Sequence, residues 1–112
     1  MSRDYNLYLE DILESCQRIV SYTAGMSYDS FVTNNMVYDA VLRNIEIIGE
    51  AVKQVPKNIR DQYSEVDWRR IAGMRDIVAH HYFSINDEIV WDIVENKIPE
   101  LTEIIESILK EI

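Results

Sequence analysis

Cysteine, proline, glycine and positive charge are all scarce in this chain. One cysteine, Cys16, stands among 112 residues, so no internal disulfide can form. A chain without a disulfide framework fits a reducing compartment. Cys16 falls in a run of helical period and reads as a small buried residue, not as a nucleophile or redox thiol. Two prolines and three glycines leave few breaks, which argues against a sandwich or barrel of many short strands. Eleven Lys and Arg face twenty Asp and Glu, a net charge of −9. That balance argues against a protein that coats nucleic acid by charge alone. No apolar run approaches the ~18 residues of a membrane span, and Met1–Tyr5 has no signal-peptide pattern behind it. A cytoplasmic protein free of the membrane is expected. There is no glycine-rich phosphate loop, so a nucleoside triphosphatase is disfavoured. The adjacent His80 and His81 lack the spacing of a zinc helix, so no metal or other cofactor is expected.

What remains is strongly helical. The hydrophobic share of 47% with 28% charged residues is that of a globular chain and not a disordered one. The length predicts one domain, residues 1–112, with a core that needs no staples. Tyr5, Leu9, Ile12, Cys16, Ile19 and Val20 recur at steps of three and four, predicting a helix from Asp4 to Thr23 that stops at Gly25. Ser27, Asp29 or Ser30 can cap a short turn around Phe31 and Val32. A long helix follows from Asn35 to Val55, closed by Pro56. Lys57 to Tyr63 reads as a short helix or turn. Asp67 is a cap for a helix from Trp68 to about His80. Gly73 inside that helix costs ~1 kcal/mol relative to alanine, which suggests a close helix contact. Ser84, Asn86 or Asp87 restarts a helix that Pro99 bends or divides. Ile98, Leu101, Ile104, Ile105, Ile108, Leu109 and Ile112 form the final apolar stripe. Trp68 and Trp91 read as core. The fold class is all-α, an antiparallel bundle of four to five helices, and apolar surface left exposed on so small a bundle would suggest a dimer.

The stretch that carries chemistry runs from Gly73 to Phe83. It holds both histidines, an arginine and a tyrosine within eight residues. Arginine can clamp a phosphate at two points and stays charged. Histidine can move a proton near neutral pH. Together they suit phosphodiester chemistry without a metal. Composition alone favours the plainer reading, in which His80 or His81 packs at a helix end and is stabilised by the helix dipole. Five residues along a regular helix rise ~7.5 Å and turn well past one circle, so Arg75 and His80 do not share a stripe. A site made from them sits where the helix ends or loosens.

In Arg75-Asp76-Ile77-Val78-Ala79-His80-His81-Tyr82 the chain resembles the HepT-type proteins of the HEPN superfamily, whose motif is R-x-x-x-x-H-x-Y. Three flanking pieces agree: Arg43 to Ala51 upstream, Trp68 to Met74 just before, and Ile89 to Asp92 after. The resemblance implies a HEPN-like bundle that forms a homodimer, with the two motifs meeting in an RNA-binding cleft. It implies a metal-independent endoribonuclease, the toxin of a type VII toxin–antitoxin pair. In that scheme the ribose 2′-hydroxyl attacks the adjacent phosphate, His80 is general acid/base, and Arg75 stabilises the charged phosphate. The family also places a polar residue of the long helix near the motif, here Glu46 first and Asn44 second. Tyr82 matches the tyrosine to which the partner nucleotidyltransferase antitoxin adds AMP, an anion that would block RNA. The alternative within the family is a non-enzymatic module that binds the nucleotidyltransferase. Asp76 departs from the asparagine common after the motif arginine, and its charge beside Arg75 would weaken phosphate binding.

The net charge is unevenly spread. From Arg43 to Tyr82 seven bases and six acids give +1, whereas the rest carries four bases and fourteen acids, −10. RNA contact at the motif is therefore compatible with an acidic protein.

Overall fold

A computed structural model describes residues 4–79 and 86–111. Every element in them is helical. Helix α1 (Tyr5–Thr23) starts at Asp4, whose side chain accepts from the Asn6 N–H at 2.9 Å. It ends at Gly25, whose φ of 75° is open to a residue without a Cβ. Helix α2 (Tyr28–Thr33) begins with a capping box in which Ser27 and Ser30 each bond the other's backbone N–H. Asn34 then caps α3 (Asn35–Gln54) through the Val37 N–H at 3.1 Å. Val55 before Pro56 is extended, as a residue preceding proline must be, and this ends α3. The short α4 (Lys57–Gln62) reverses the chain into α5 (Trp68–Ala79).

Asn86 caps α6 (Asp87–Asp92) through two backbone N–H groups. A π turn (Ile93–Lys97) leads straight into α7 (Ile98–Glu111). The division expected at Pro99 takes this form. Proline has no N–H to give and its ring presses on the carbonyl four residues back. The ladder widens by one residue just before it, and the Ile98 N–H bonds the Ile93 carbonyl.

Helix α3 lies between α1 and α5, and α1 also packs on α7. Leu9, Ile12, Cys16 and Ile19 of α1 interlock with Val41, Ile45 and Ile48 of α3 and Ile98, Ile105 and Ile108 of α7 in one core. Each of the larger aliphatic side chains so buried contributes ~1.5–3 kcal/mol. Both tryptophans serve packing. Trp68 is buried with its Nε1–H donating to the Tyr63 carbonyl at 3.1 Å, and Trp91 lies against Phe31 with ring centroids 5.2 Å apart. Cys16 is buried, and desolvation pushes its thiol up to about 12. No helix among the described residues is long and apolar enough to cross a membrane. Ser84 and Ile112, named above as a cap and a stripe residue, lie outside the described residues.

The expected role of Gly73 is not what the fold uses. A Cβ built on Gly73 would meet nothing within 4 Å. The close helix contact is at Gly49 of α3 instead. There an added Cβ would stand 2.8 Å from the Arg75 Cβ and 3.3 Å from the Ala72 carbonyl oxygen. A tight approach needs a glycine only on the face turned to the neighbour, and one-dimensional spacing did not reveal which glycine that is.

Candidate functional site

Arg75 is fixed by its backbone before its side chain contributes anything. Asp67 caps α5 by accepting from the Arg70 N–H at 3.0 Å, and Trp68 and Met74 anchor the helix by burial. Bare Gly49 then lets the Arg75 Cβ settle directly against α3. From there the guanidinium reaches the next residue of α3. Its Nε is ion-paired with the Glu50 carboxylate, and the two side chains remain 41% and 48% exposed. A pair so open to water adds only ~0.2–1 kcal/mol of stability. Its consequence is placement: one edge of the guanidinium is turned to Glu50 while the group as a whole stays accessible.

Glu50 also borders a shallow polar cleft between α1 and α3, lined by Tyr8, Asp11, Arg43, Glu46 and Gln54. Glu46 stands one helical turn before Glu50 and accepts from Arg43 at 3.4 Å. Asn44 lies on another side of the helix and is buried. Its Nδ2–H donates to the Ala40 carbonyl at 2.8 Å, and its Oδ1 has no hydrogen-bond partner among the described residues. The carboxylate in contact with Arg75 is thus Glu50, a residue that sequence reasoning did not single out. Two signals pointed to it: it shares a face with Glu46, four residues away, and it follows a glycine in mid-helix. Asp76 is exposed.

His80, His81 and Tyr82 lie outside the described residues. The described residues stop at Ala79 of α5 and resume at Asn86, just before α6. The start of α6 is tied to α3 by Tyr38, whose hydroxyl donates to Asp87 at 2.5 Å. Burial, with Asp87 as hydrogen-bond acceptor and neighbouring charge, pushes the Tyr38 phenol well up, so it stays a donor.

The opposite side of α5 borders an apolar groove of about 480 Å³, with Ile71, Met74 and Ile77 facing Ile89, Ile93 and Ile104. Ile89 is 45% exposed there. Helix α5 therefore leaves apolar surface open between itself and the arm formed by α6, the π turn and α7.

Comparison with known proteins places this geometry in a family. The family model described as "Ribonuclease HepT-like" matches residues 12–108. A protein of Methanocaldococcus jannaschii named "Putative RNase" is 44% identical, over 98% of this chain and 91% of its own length. A second "Putative RNase", from Caldanaerobacter subterraneus subsp. tengcongensis, is 43% identical over 92% of each. A "Probable ribonuclease HepT" of Thermococcus cleftensis is 36% identical over 98% of this chain and all of its own. No solved structure matches. With the family model spanning nearly the whole helical bundle and the Arg75 motif inside it, the chain belongs to the HepT-like ribonuclease family.

Proposed function

We propose that the protein is an endoribonuclease that cleaves RNA without a metal, through attack of the ribose 2′-hydroxyl on the adjacent phosphate. The observation that carries this is an accessible arginine, Arg75, set five residues before His80 in a chain of the HepT-like family. In the reaction a proton leaves the 2′-hydroxyl, a 2′,3′-cyclic phosphate forms, and the bond to the 5′-oxygen breaks as that oxygen takes up a proton. His80 moves these protons, since imidazole titrates near neutral pH. Arg75 stabilises the added negative charge on the phosphorus centre. A homodimer brings two motifs to one cleft, and the apolar groove beside α5 supports association with a second copy. Purified wild type is expected to cleave RNA in EDTA and leave cyclic-phosphate ends, and His80→Ala to abolish this. Equal cleavage by the His80→Ala protein would refute the assignment.

In the cell we place this activity in the cytoplasm, as the toxin of a type VII pair held in check by an MNT-type nucleotidyltransferase. Tyr82 is the residue that would receive AMP, two positions from His80. A bulky anion there repels the RNA backbone from Arg75. Intact mass of protein co-expressed with such a transferase reads out the addition, which Tyr82→Phe should prevent.

The ion pair of Arg75 with Glu50, beside the exposed Asp76, favours one second reading. An arginine already partnered by a carboxylate binds phosphate less well, as a module that mainly holds the nucleotidyltransferase could tolerate. No cleavage by wild type, with complex formation that survives Arg75→Ala and His80→Ala, would establish it.

A further inference from the structure

We propose that Glu50 is a positioning residue for Arg75, which holds the guanidinium by its Nε edge so that the terminal nitrogens face the RNA phosphate. The proposal rests on the ribonuclease reading above and deepens it. A guanidinium offers two two-point edges, one through Nε and one through its two terminal nitrogens. The Glu50 carboxylate sits on Nε, so it takes the side edge. Among the described residues no other side chain is paired with the end edge, and the half-exposed pair lies at the protein surface, where a nucleic-acid backbone can reach it. The placement is built from two consecutive residues of α3. Gly49 brings the Arg75 Cβ against the helix, and Glu50 then takes the far end of the same side chain. Arg75 is thereby held at both ends of its flexible stem, so less rotamer freedom is lost when phosphate binds.

The carboxylate has a second effect of opposite sign. Its negative charge near the phosphate site weakens ground-state RNA binding. Aim and affinity therefore respond differently to substitution. In Glu50→Gln the amide oxygen can still accept from Nε, so orientation is kept while the repelling charge is lost. Most of kcat should survive, and KM should fall roughly 3–10-fold, the size expected for one like charge a short distance away in a partly solvated site. In Glu50→Ala the acceptor is gone. With the guanidinium no longer aimed, kcat should fall on the order of 100-fold, as misplacement of a charge-stabilising group does, and KM should not rise. Because the pair is exposed, both variants should melt within a few degrees of wild type.

The experiment measures kcat and KM for RNA cleavage by wild type, Glu50→Gln, Glu50→Ala and Arg75→Ala, together with anisotropy binding of a labelled mixed-sequence 2′-O-methyl RNA 20-mer. That probe lacks the attacking hydroxyl and cannot be cleaved. Loss of kcat in Glu50→Ala with rescue by Glu50→Gln supports the proposal. It is overturned if Glu50→Ala matches wild type, or if Glu50→Gln is as inactive as Glu50→Ala, since the charge itself would then be required. Wild type that binds the 20-mer but cleaves nothing refutes the ribonuclease reading alone. Binding then decides for Glu50. Tighter binding by Glu50→Gln together with weaker binding by Arg75→Ala upholds the charge relation, and no change in either overturns it.

Discussion

Replacing Gly49 with alanine puts one methyl group where α3 meets α5, and its effects on stability and on activity should be separable. The new Cβ would lie 2.8 Å from the Arg75 Cβ, against 3.4 Å for an ordinary contact, so the helices must part by about 0.6 Å. Neither neighbour yields easily, because the atoms met are a Cβ and a backbone carbonyl. Overpacking of this kind costs ~1–3 kcal/mol. Alanine recovers ~1 kcal/mol of helix propensity, so the net loss is about 0–2 kcal/mol, measured by urea denaturation followed by circular dichroism. The larger effect should be catalytic. The displaced atom is the root of the Arg75 side chain, and a misplacement of ~1 Å can cost ~100-fold in rate, so RNA cleavage should fall by about 10-fold or more. Gly73→Ala is the matched control on the facing helix. Its methyl meets nothing within 4 Å, and the same propensity gain should stabilise the fold by ~1 kcal/mol, raising the melting temperature by about 4 °C. A Gly49→Ala protein that is more stable than wild type and fully active would show that the close approach at Arg75 carries no weight.

Two further outcomes follow from the packing. Tyr38→Phe removes the bond to Asp87 and should cost about 1.5 kcal/mol in chemical denaturation, the low end for a hydrogen bond to a charged group because Asp87 keeps access to water; a change below about 0.5 kcal/mol, the size of a surface substitution, would show the tie is not structural. Cleavage should fall in the same variant, since that bond holds the start of α6, five residues after Tyr82 in the chain. Cys16 should resist alkylation at pH 8 in the native protein and react readily in denaturant, as burial holds its thiol neutral up to about 12. Above the ordinary thiol range the unfolded chain loses this proton while the folded chain keeps it, so the thiol lowers stability as pH rises toward 12; Cys16→Ala should flatten that part of the pH–stability curve, and an unchanged curve would refute the burial account.

Helix boundaries were largely legible because the chain writes them in local chemistry. Asp4, Ser27, Asn86 and Asp67 cap helices where a short polar side chain precedes an apolar period, and Pro56 stops α3 through the backbone of Val55. The site was legible as a motif only. Arg75 was named from its spacing to His80, but the carboxylate that holds it was not. Glu46 and Glu50 share one helix face, and the one local hint within α3, the mid-helix Gly49 beside Glu50, has a counterpart in Gly73 that marks no close contact. Which carboxylate is met depends on how far along α3 the next helix crosses. The same limit explains the two glycines. Gly49 and Gly73 weaken their helices alike, and the difference between them is a neighbour more than twenty residues away.

Sequence alone therefore determined what depends on near neighbours along the chain: all-α architecture, caps, breaks, an unpaired thiol and the Arg75–His80 motif with its family. Tertiary structure decided what depends on meeting at a distance. It set α3 against α5 at Gly49, turned Arg75 onto Glu50, and joined Tyr38 to Asp87 across the segment between the helices. The physical reason is that hydrogen-bond capping and helical period act over one or two turns. The partner of a long charged side chain is chosen by the register in which two separate helices bury their apolar faces.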